Sequence, residues 1–331
     1  MVEILSSISG RNNAQFPPYR LIERDYLKEA QLSFGRLERL YHIGQKKAWD
    51  GREVLDRLLQ RHGGISLPAP KKEAIARVFS IILWGELAAW HISAEIAEAL
   101  DDVEAKMAAT GQAFDEARHF YTMRDYLLAL GVDVPPLDGY TRAILVSVLE
   151  AGSLVEKLIG MQLLVENVAV HLFRGVAKGG VEPVLAELMP YFEQDEARHV
   201  GLGVMFLPAM LAKLSRAESL RLQLFQVKVT TFIVWATILL RESFEALGVD
   251  LHRVFRNGIS NQLEIFQAMG QADGGTRGIY IPPDMLLKAN NLAIDFYFPR
   301  PGAPRPRWLR LAHDLMSGTA RLGERVLEWA A

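Results

Sequence analysis

At 331 residues, half of them apolar and none of them cysteine, the chain can bury a large core but cannot form a disulfide, an iron–sulfur cluster or a thiolate metal site. Its 37 basic and 39 acidic residues leave a net charge of −2, too balanced for a nucleic-acid-binding surface. There is no phosphate-binding glycine loop, no nucleophile elbow and no basic-aromatic patch, and the opening residues lack an apolar run of signal-peptide length, so the cytoplasm is the expected location.

Residues 20 to 62 predict amphipathic helices, with Trp49-Asp50-Gly51 as a turn and Val54, Leu55, Leu58 and Leu59 as an apolar stripe. Gly63-Gly64 and Leu67-Pro68-Ala69-Pro70 lead into a long apolar helix that ends near Leu100, where Asp101 and Asp102 offer an N-cap for the next. That second helix runs to about Gly131, and Pro135-Pro136 separates two halves. A third helical pattern, from about Leu137 to Lys178, contains Gly152 and Gly160, which favour a break or bulge. Gly179-Gly180 stops it, Pro183 suits the opening turn of a fourth helix, and Pro208 is a site for a kink in that helix.

Between Lys228 and Arg241 lie 12 uncharged residues. This is short of the ~20 needed to span a bilayer, so a fully covered bundle helix is expected, with membrane-surface attachment the lesser option and no transmembrane segment. Asn257-Gly258 and Gly274-Gly275 predict loops. Pro299 to Arg310 carries four arginines, read as a solvated connector, or more weakly as a dock for an acidic redox partner, before a last amphipathic helix to Ala331. The expected organisation is a helical extension over 1–67, a bundle over 68–247 and a helical extension over 248–331 that packs on it, a single domain overall.

The strongest signal is a repeat: Asp115-Glu116-Ala117-Arg118-His119 recurs letter for letter as Asp195-Glu196-Ala197-Arg198-His199, 80 positions later. Each copy is a Glu-x-x-His pair, and three helical residues turn ~300°, which leaves carboxylate and imidazole on one face. The same offset relates Glu86 to Glu166, each 30 residues before its Glu-x-x-His, and each interrupting an apolar segment. One straight helix would hold Glu86 and Glu116 ~45 Å apart, so the chain must double back at Asp101-Asp102, and again at Gly179-Gly180. Two hairpins, each with three inward ligands, make a four-helix bundle. Four buried glutamates would repel one another unless cations lay among them, and two divalent ions balance them. Four carboxylates and two imidazoles suit iron first, with manganese as the other choice, and exceed what two tetrahedral zinc ions take. A lone Glu-x-x-His is ordinarily a solvated helix face; the duplication in step with two further glutamates is what lifts this pair above that reading.

The pattern Glu86, Glu116-x-x-His119, Glu166, Glu196-x-x-His199 resembles the ferritin-like di-iron carboxylate superfamily, over roughly residues 70 to 215. Its Asp-Glu-x-Arg-His form is most similar to the hydroxylase subunits of bacterial multicomponent monooxygenases, with acyl carrier protein desaturases, ribonucleotide reductase small subunits and their ligand-binding oxidase relatives further off. The resemblance implies an all-α fold, a ferritin-like four-helix bundle with added N- and C-terminal helices. It implies Asp115 and Asp195 as acceptors for the imidazole N–H on the opposite hairpin, with Arg118 and Arg198 paired to them. Departures count as well. Met123 stands where the reductase subunits have a radical tyrosine, Val170 where the monooxygenases usually have a threonine, and Met161 where the ligand-binding oxidases have a cross-linking tyrosine. His91 and His171, five residues after Glu86 and Glu166, rotate ~140° off the ligand face and are expected as packing groups or outer partners of the site. The stripe Met161, Val165, Ala169, Val170 and Phe173 is expected as bundle core, partly bordering a cavity.

The implied activity is dioxygen activation by two iron ions (Fe/Fe, with Mn/Fe or Mn/Mn as variants) for oxidation of a small, hydrophobic organic substrate. Without cysteine clusters in the chain, electrons would come from an external reductase or electron-transfer protein. A homodimer is an open option. The alternatives are a ferroxidase that handles iron without an organic substrate, and a manganese or peroxide-consuming enzyme.

Overall fold

The computed structural model describes residues 35–272, 279, 284–300, 302 and 307–329; residues 20–34 of the expected opening helices, Gly274-Gly275 and Arg305 lie outside them. Every regular element among the described residues is helical. Short α1 (Gly35–Lys47) and α2 (Gly51–His62) precede the first hairpin, α3 (Ala69–Ala99) with α4 (Val103–Leu130). The caps are local and chemical. Asp50 accepts from the Glu53 amide at the start of α2, Asp102 accepts from the Ala105 amide at the start of α4, and Gly131 closes α4 at φ 71°.

The long third pattern is broken where its two glycines fall. α5 (Gly139–Leu149) ends, the chain bends through residues 150–153, α6 (Leu154–Leu158) begins at the Ser153 cap, and a π-helical segment, Ile159–Val165, runs into α7 (Glu166–Gly179). Gly180 in the left-handed region ends α7, and Glu182 caps α8 (Pro183–Leu211), which continues through both Pro190 and Pro208. α9 (Arg216–Ala246) opens with a Ser215/Glu218 capping box. It is followed by α10 (Leu251–Ala272), α11 (Asp284–Tyr297) and α12 (Arg307–Trp329).

α3 packs on α4 and α7 on α8, and the two hairpins close a four-helix bundle; α1 and α2 lie against α4 and α8, α10 against α7 and α8, and α12 against α5 and α9. Two apolar clusters fill the bundle. One contains Phe79, Met123, Tyr126, Phe173 and Phe192; the other contains Ile92, Ile96, Ala109, Leu163 and Leu202. Along each of the four bundle helices, the π segment counted with α7, the residues of the repeat fall between a member of one cluster and a member of the other. The charged layer is thus a slab between two dry ones.

Two expectations change here. Asn257-Gly258 is no loop but the middle of α10: Gly258 lies under α7, where a Cβ would stand 3.6 Å from His171 Cδ2, and Asn261 donates to Asn167 Oδ1 at 2.7 Å, so packing overrides the turn signal. The uncharged stretch Val229–Leu240 is part of a 31-residue helix whose most apolar 18-residue window is only 28% buried, so α9 is not fully covered. By length and composition α3 and α9 could each cross a membrane; α3 is mostly interior to the bundle and carries Glu86.

Candidate metal centre

The six repeat residues Glu86, Glu116, His119, Glu166, Glu196 and His199 are all buried and converge at mid-bundle. They form two overlapping groups. Glu86, Glu116, His119 and Glu196 offer ligand atoms within 4.8 Å of one another, and so do Glu116, Glu166, Glu196 and His199. Glu116 and Glu196 belong to both, so each lies between two adjacent positions for an ion. His119 Nδ1 stands 3.3 Å from Glu86, 3.4 Å from Glu116 and 3.2 Å from Glu196. His199 Nδ1 stands 3.0 Å from Glu116, 3.2 Å from Glu166 and 3.0 Å from Glu196.

The outer nitrogens are held from the other hairpin. His119 Nε2 lies 3.1 Å from Asp195 Oδ2, and His199 Nε2 lies 3.3 Å from Asp115 Oδ2. Arg118 donates to Asp195 at 2.7 Å and also to Asp115; Arg198 donates to Asp115 at 2.9 Å and to Asp195 at 2.6 Å. The two aspartates and two arginines therefore form a neutral ring that locks the hairpins together. With each Nε2–H given to an aspartate, each Nδ1 lone pair points inward at carboxylate oxygens. A lone pair facing three anions is repelled unless a proton or a metal cation stands between them, and Glu116 Oε2, Glu166 Oε2 and His119 Nδ1 have no hydrogen-bond partner. The donor set of oxygen and nitrogen fits two ions of the iron or manganese kind.

The protonation pattern of the ion-free chain agrees. Burial pushes the carboxyls of Glu86 and Glu166 well above the ordinary range. Burial acts the same way on Glu116 and Glu196, but the neighbouring histidines hold both below it. For His119 burial opposes charge, yet the surrounding carboxylates of Asp195, Glu116, Glu196 and Glu86 prevail and raise its pKa well above the usual value; His199 is raised against burial by Glu116, Glu166 and Glu196.

His91 departs from its expectation. Its side chain is 62% exposed and pairs with Glu95, because the face of α3 that bears it, with Trp84 seven residues earlier, is turned to solvent. His171 is buried beneath α10, with Nε2 unpartnered, and lines the space between α7, α9 and α10 rather than the cavity over the four glutamates.

Three neighbours of the site escape the sequence reading. Trp49, which the sequence marks only as part of a turn, donates Nε1–H to Asp195 Oδ2 at 2.8 Å, and its ring lies 4.8 Å below the Arg118 guanidinium. Phe192 stacks on His119 with centroids 4.4 Å apart. Gln112 donates to Glu166 Oε1 at 2.6 Å and itself accepts from Gln162, at 3.2 Å. Gln112 and Phe192 each lie one turn before a Glu-x-x-His, on the ligand face, and that position could have flagged them; nothing near Trp49 could.

An apolar cavity of about 140 Å³ opens onto Glu86, Glu116, Glu166 and Glu196, walled by α3, α5, the π segment, α7 and α9. Met161, Val165 and Ala169 border it, while Val170 and Phe173 are core. A second cavity of about 450 Å³ lies on the histidine side between α1, α4 and α8, reaching Gln112, Asp115, Arg198 and His199.

No protein-family model matches the chain, and no curated protein matches it either. Among solved structures it is similar to a variant of an R2-like ligand-binding oxidase with an aerobically reconstituted Mn/Fe cofactor, at a TM-score of 0.57 and 16% identity over 70% of this chain and 93% of that one. A second variant, anaerobically reconstituted with Mn/Fe, gives 0.54 and 16% over 77% and 97%, and the aerobically reconstituted oxidase after a long soak gives 0.52 and 16% over 74% and 93%. At these identities the likeness establishes the fold, a ferritin-like helical bundle. These structures belong to the ligand-binding oxidases, which the motif comparison had set further off than the multicomponent monooxygenases.

Proposed function

We propose that this chain is a carboxylate-bridged di-metal oxidase or oxygenase that activates dioxygen for the oxidation of a hydrophobic organic substrate, with electrons from an external reductase. The observation that carries this reading is the pair of four-residue groups sharing Glu116 and Glu196, with inward lone pairs and one apolar cavity at their carboxylate edge. Glu86, Glu116, His119 and Glu196 would hold one ion, and Glu116, Glu166, Glu196 and His199 the other. Bound there, iron or manganese would supply the one-electron and dioxygen chemistry that no side chain of this protein can.

The protein's own residues do the rest. Asp195 and Asp115 fix the imidazole tautomers so that Nδ1 faces inward, and Arg118 and Arg198 keep both aspartates ionised. Gln112 occupies Glu166 Oε1, leaving Oε2 for the centre. The cavity wall, with Thr141 and Thr237 as its only uncharged polar side chains, excludes water and admits an apolar substrate.

The reading is tested by anaerobic loading with ferrous or manganous ions, elemental analysis, and an oxygen pulse with and without reductant and candidate apolar substrates. Two ions per chain, with oxygen uptake accelerated by one compound class, is the expected result. Tens of irons per chain would instead make it an iron-handling ferritin relative, and peroxide turnover by a manganese-loaded chain would make it a peroxide-consuming one.

A further inference from the structure

α12 (Arg307–Trp329) packs one side on α5 and α9, with Leu309, His313 and Ala320 buried, and shows a second apolar stripe to solvent. Trp308, Leu311, Leu315, Leu322, Val326 and Trp329 are 58% to 90% exposed. At 100° per residue these six fall within about 60° of one another, in a line ~31 Å long. Isolated exposed apolar residues are ordinary, but a continuous stripe of this length is not.

The order of the stripe says what covers it. With Gly318 and Thr319 included, it reads Trp, Leu, Leu, Gly, Thr, Leu, Val, Trp at spacings of 3, 4, 3, 1, 3, 4 and 3. Those spacings are the same from either end. A two-fold axis between residues 318 and 319, perpendicular to the helix, sets Trp308 opposite Trp329 of a second copy, Leu311 opposite Val326, and Leu315 opposite Leu322. The residues nearest the axis are the small ones, and a Cβ at Gly318 would meet nothing within 4 Å.

Charge follows the same symmetry. Arg307, Arg310, Asp314, Arg321, Arg325 and Glu328 share one flank of the stripe, and in an antiparallel pair like flanks adjoin. Asp314 then falls within ~3 Å along the axis of both Arg321 and Arg325 of the second copy, and Glu328 within ~3 Å of both Arg307 and Arg310. A helix lying on an anionic lipid surface gains nothing from a palindrome, and the two acidic residues on its flank would count against it. We infer that the exposed face of α12 is an isologous dimer interface, filled by the same helix of a second copy running antiparallel. This rests on α12 alone and is independent of the proposed chemistry.

The absence of native cysteine makes the geometry directly readable. In the full chain, Thr319→Cys should give a disulfide-linked dimer on mild oxidation, because it sits at the axis. Leu311→Cys and Val326→Cys should each stay unlinked when oxidised alone, since copies of either are ~22 Å apart along the axis, yet should link when mixed. The unmodified chain should sediment at twice 37.1 kDa, and Leu315→Arg with Leu322→Arg should halve that mass with helicity and metal content unchanged. A monomeric parent, self-linking Leu311→Cys (a parallel pair), a double variant still dimeric, or a monomer captured by phosphatidylglycerol vesicles through this stripe would each overturn the inference. If the double variant does not fold, the cysteine pattern alone decides.

Discussion

The hairpin of α3 and α4 and the hairpin of α7 and α8 present the same inward letters in different surroundings. One turn before the Glu-x-x-His the first has Gln112, which reaches across to Glu166; the second has Phe192, which stacks on His119. Five residues past the lone glutamate, His91 is in solvent while His171 lies under α10. α3 is regular through Glu86, whereas a π segment leads into Glu166. The two groups that could each hold an ion therefore have unequal surroundings. The Glu86/His119 side is ringed by Phe192 and Trp49, and the Glu166/His199 side by the Gln112–Gln162 amide pair and the larger cavity. A duplicated sequence duplicates the ligands and not their environment.

The strongest test of that inequality removes ligands. Glu116→Ala or Glu196→Ala should abolish binding of both ions, because each residue belongs to both groups, whereas Glu86→Ala should leave close to one ion per chain by elemental analysis. Equal loss in all three would show that the positions cannot fill separately. Next in size, Asp195→Asn should weaken metal affinity by about 10- to 100-fold, and more than Asp115→Asn does, since Asp195 also holds Trp49. Competitive titration against a chelator separates the two.

Protonation sharpens the comparison further. Glu86 and Glu166 have raised pKa values in the ion-free fold, so their contribution to stability is full below the unfolded glutamate range and fades as pH rises through the folded value. Asp195 is lowered, so its contribution is present above the unfolded aspartate range and is lost only in acid. Metal-free Glu166→Gln should thus melt above the parent at pH 8, with a gain that shrinks toward pH 5 at a slope of up to about 1.4 kcal/mol per pH unit. A pH-independent difference in thermal unfolding would contradict it. The smallest contrast lies outside the centre: His91→Ala should change stability by less than about 0.5 kcal/mol, and His171→Ala should cost about 1–2 kcal/mol, both by urea unfolding.

What could be read from the letters is what depends on local chemistry and periodicity. Asp50 and Asp102 mark helix starts through carboxylates that accept from backbone amides, Gly131, Gly180 and Pro183 mark helix ends through their own backbone preferences, and the 80-residue offset picks out six residues that do meet at mid-bundle. What could not be read depends on contacts far along the chain. Trp49 meets Asp195 across 146 positions, and its hydrogen bond leaves no trace in the neighbouring sequence. Whether His91 or His171 is covered was decided by α10, an element whose own Asn257-Gly258 looked like a turn. The cover expected over α9 failed for the same reason, since an apolar run states a preference for burial but not how much of it the partners supply.

The stretch Ile159–Val165 works as a phase shifter. In an α-helix, Met161 and Glu166 would be rotated ~140° apart. Widening the turn, with the Glu166 amide bonded back to the Met161 carbonyl, brings both to the same side. One surplus residue per turn thereby turns the residue five before the ligand toward the ligand's own side, whereas regular α3 lines the cavity with Ile82 and Ala89, one turn either side of Glu86.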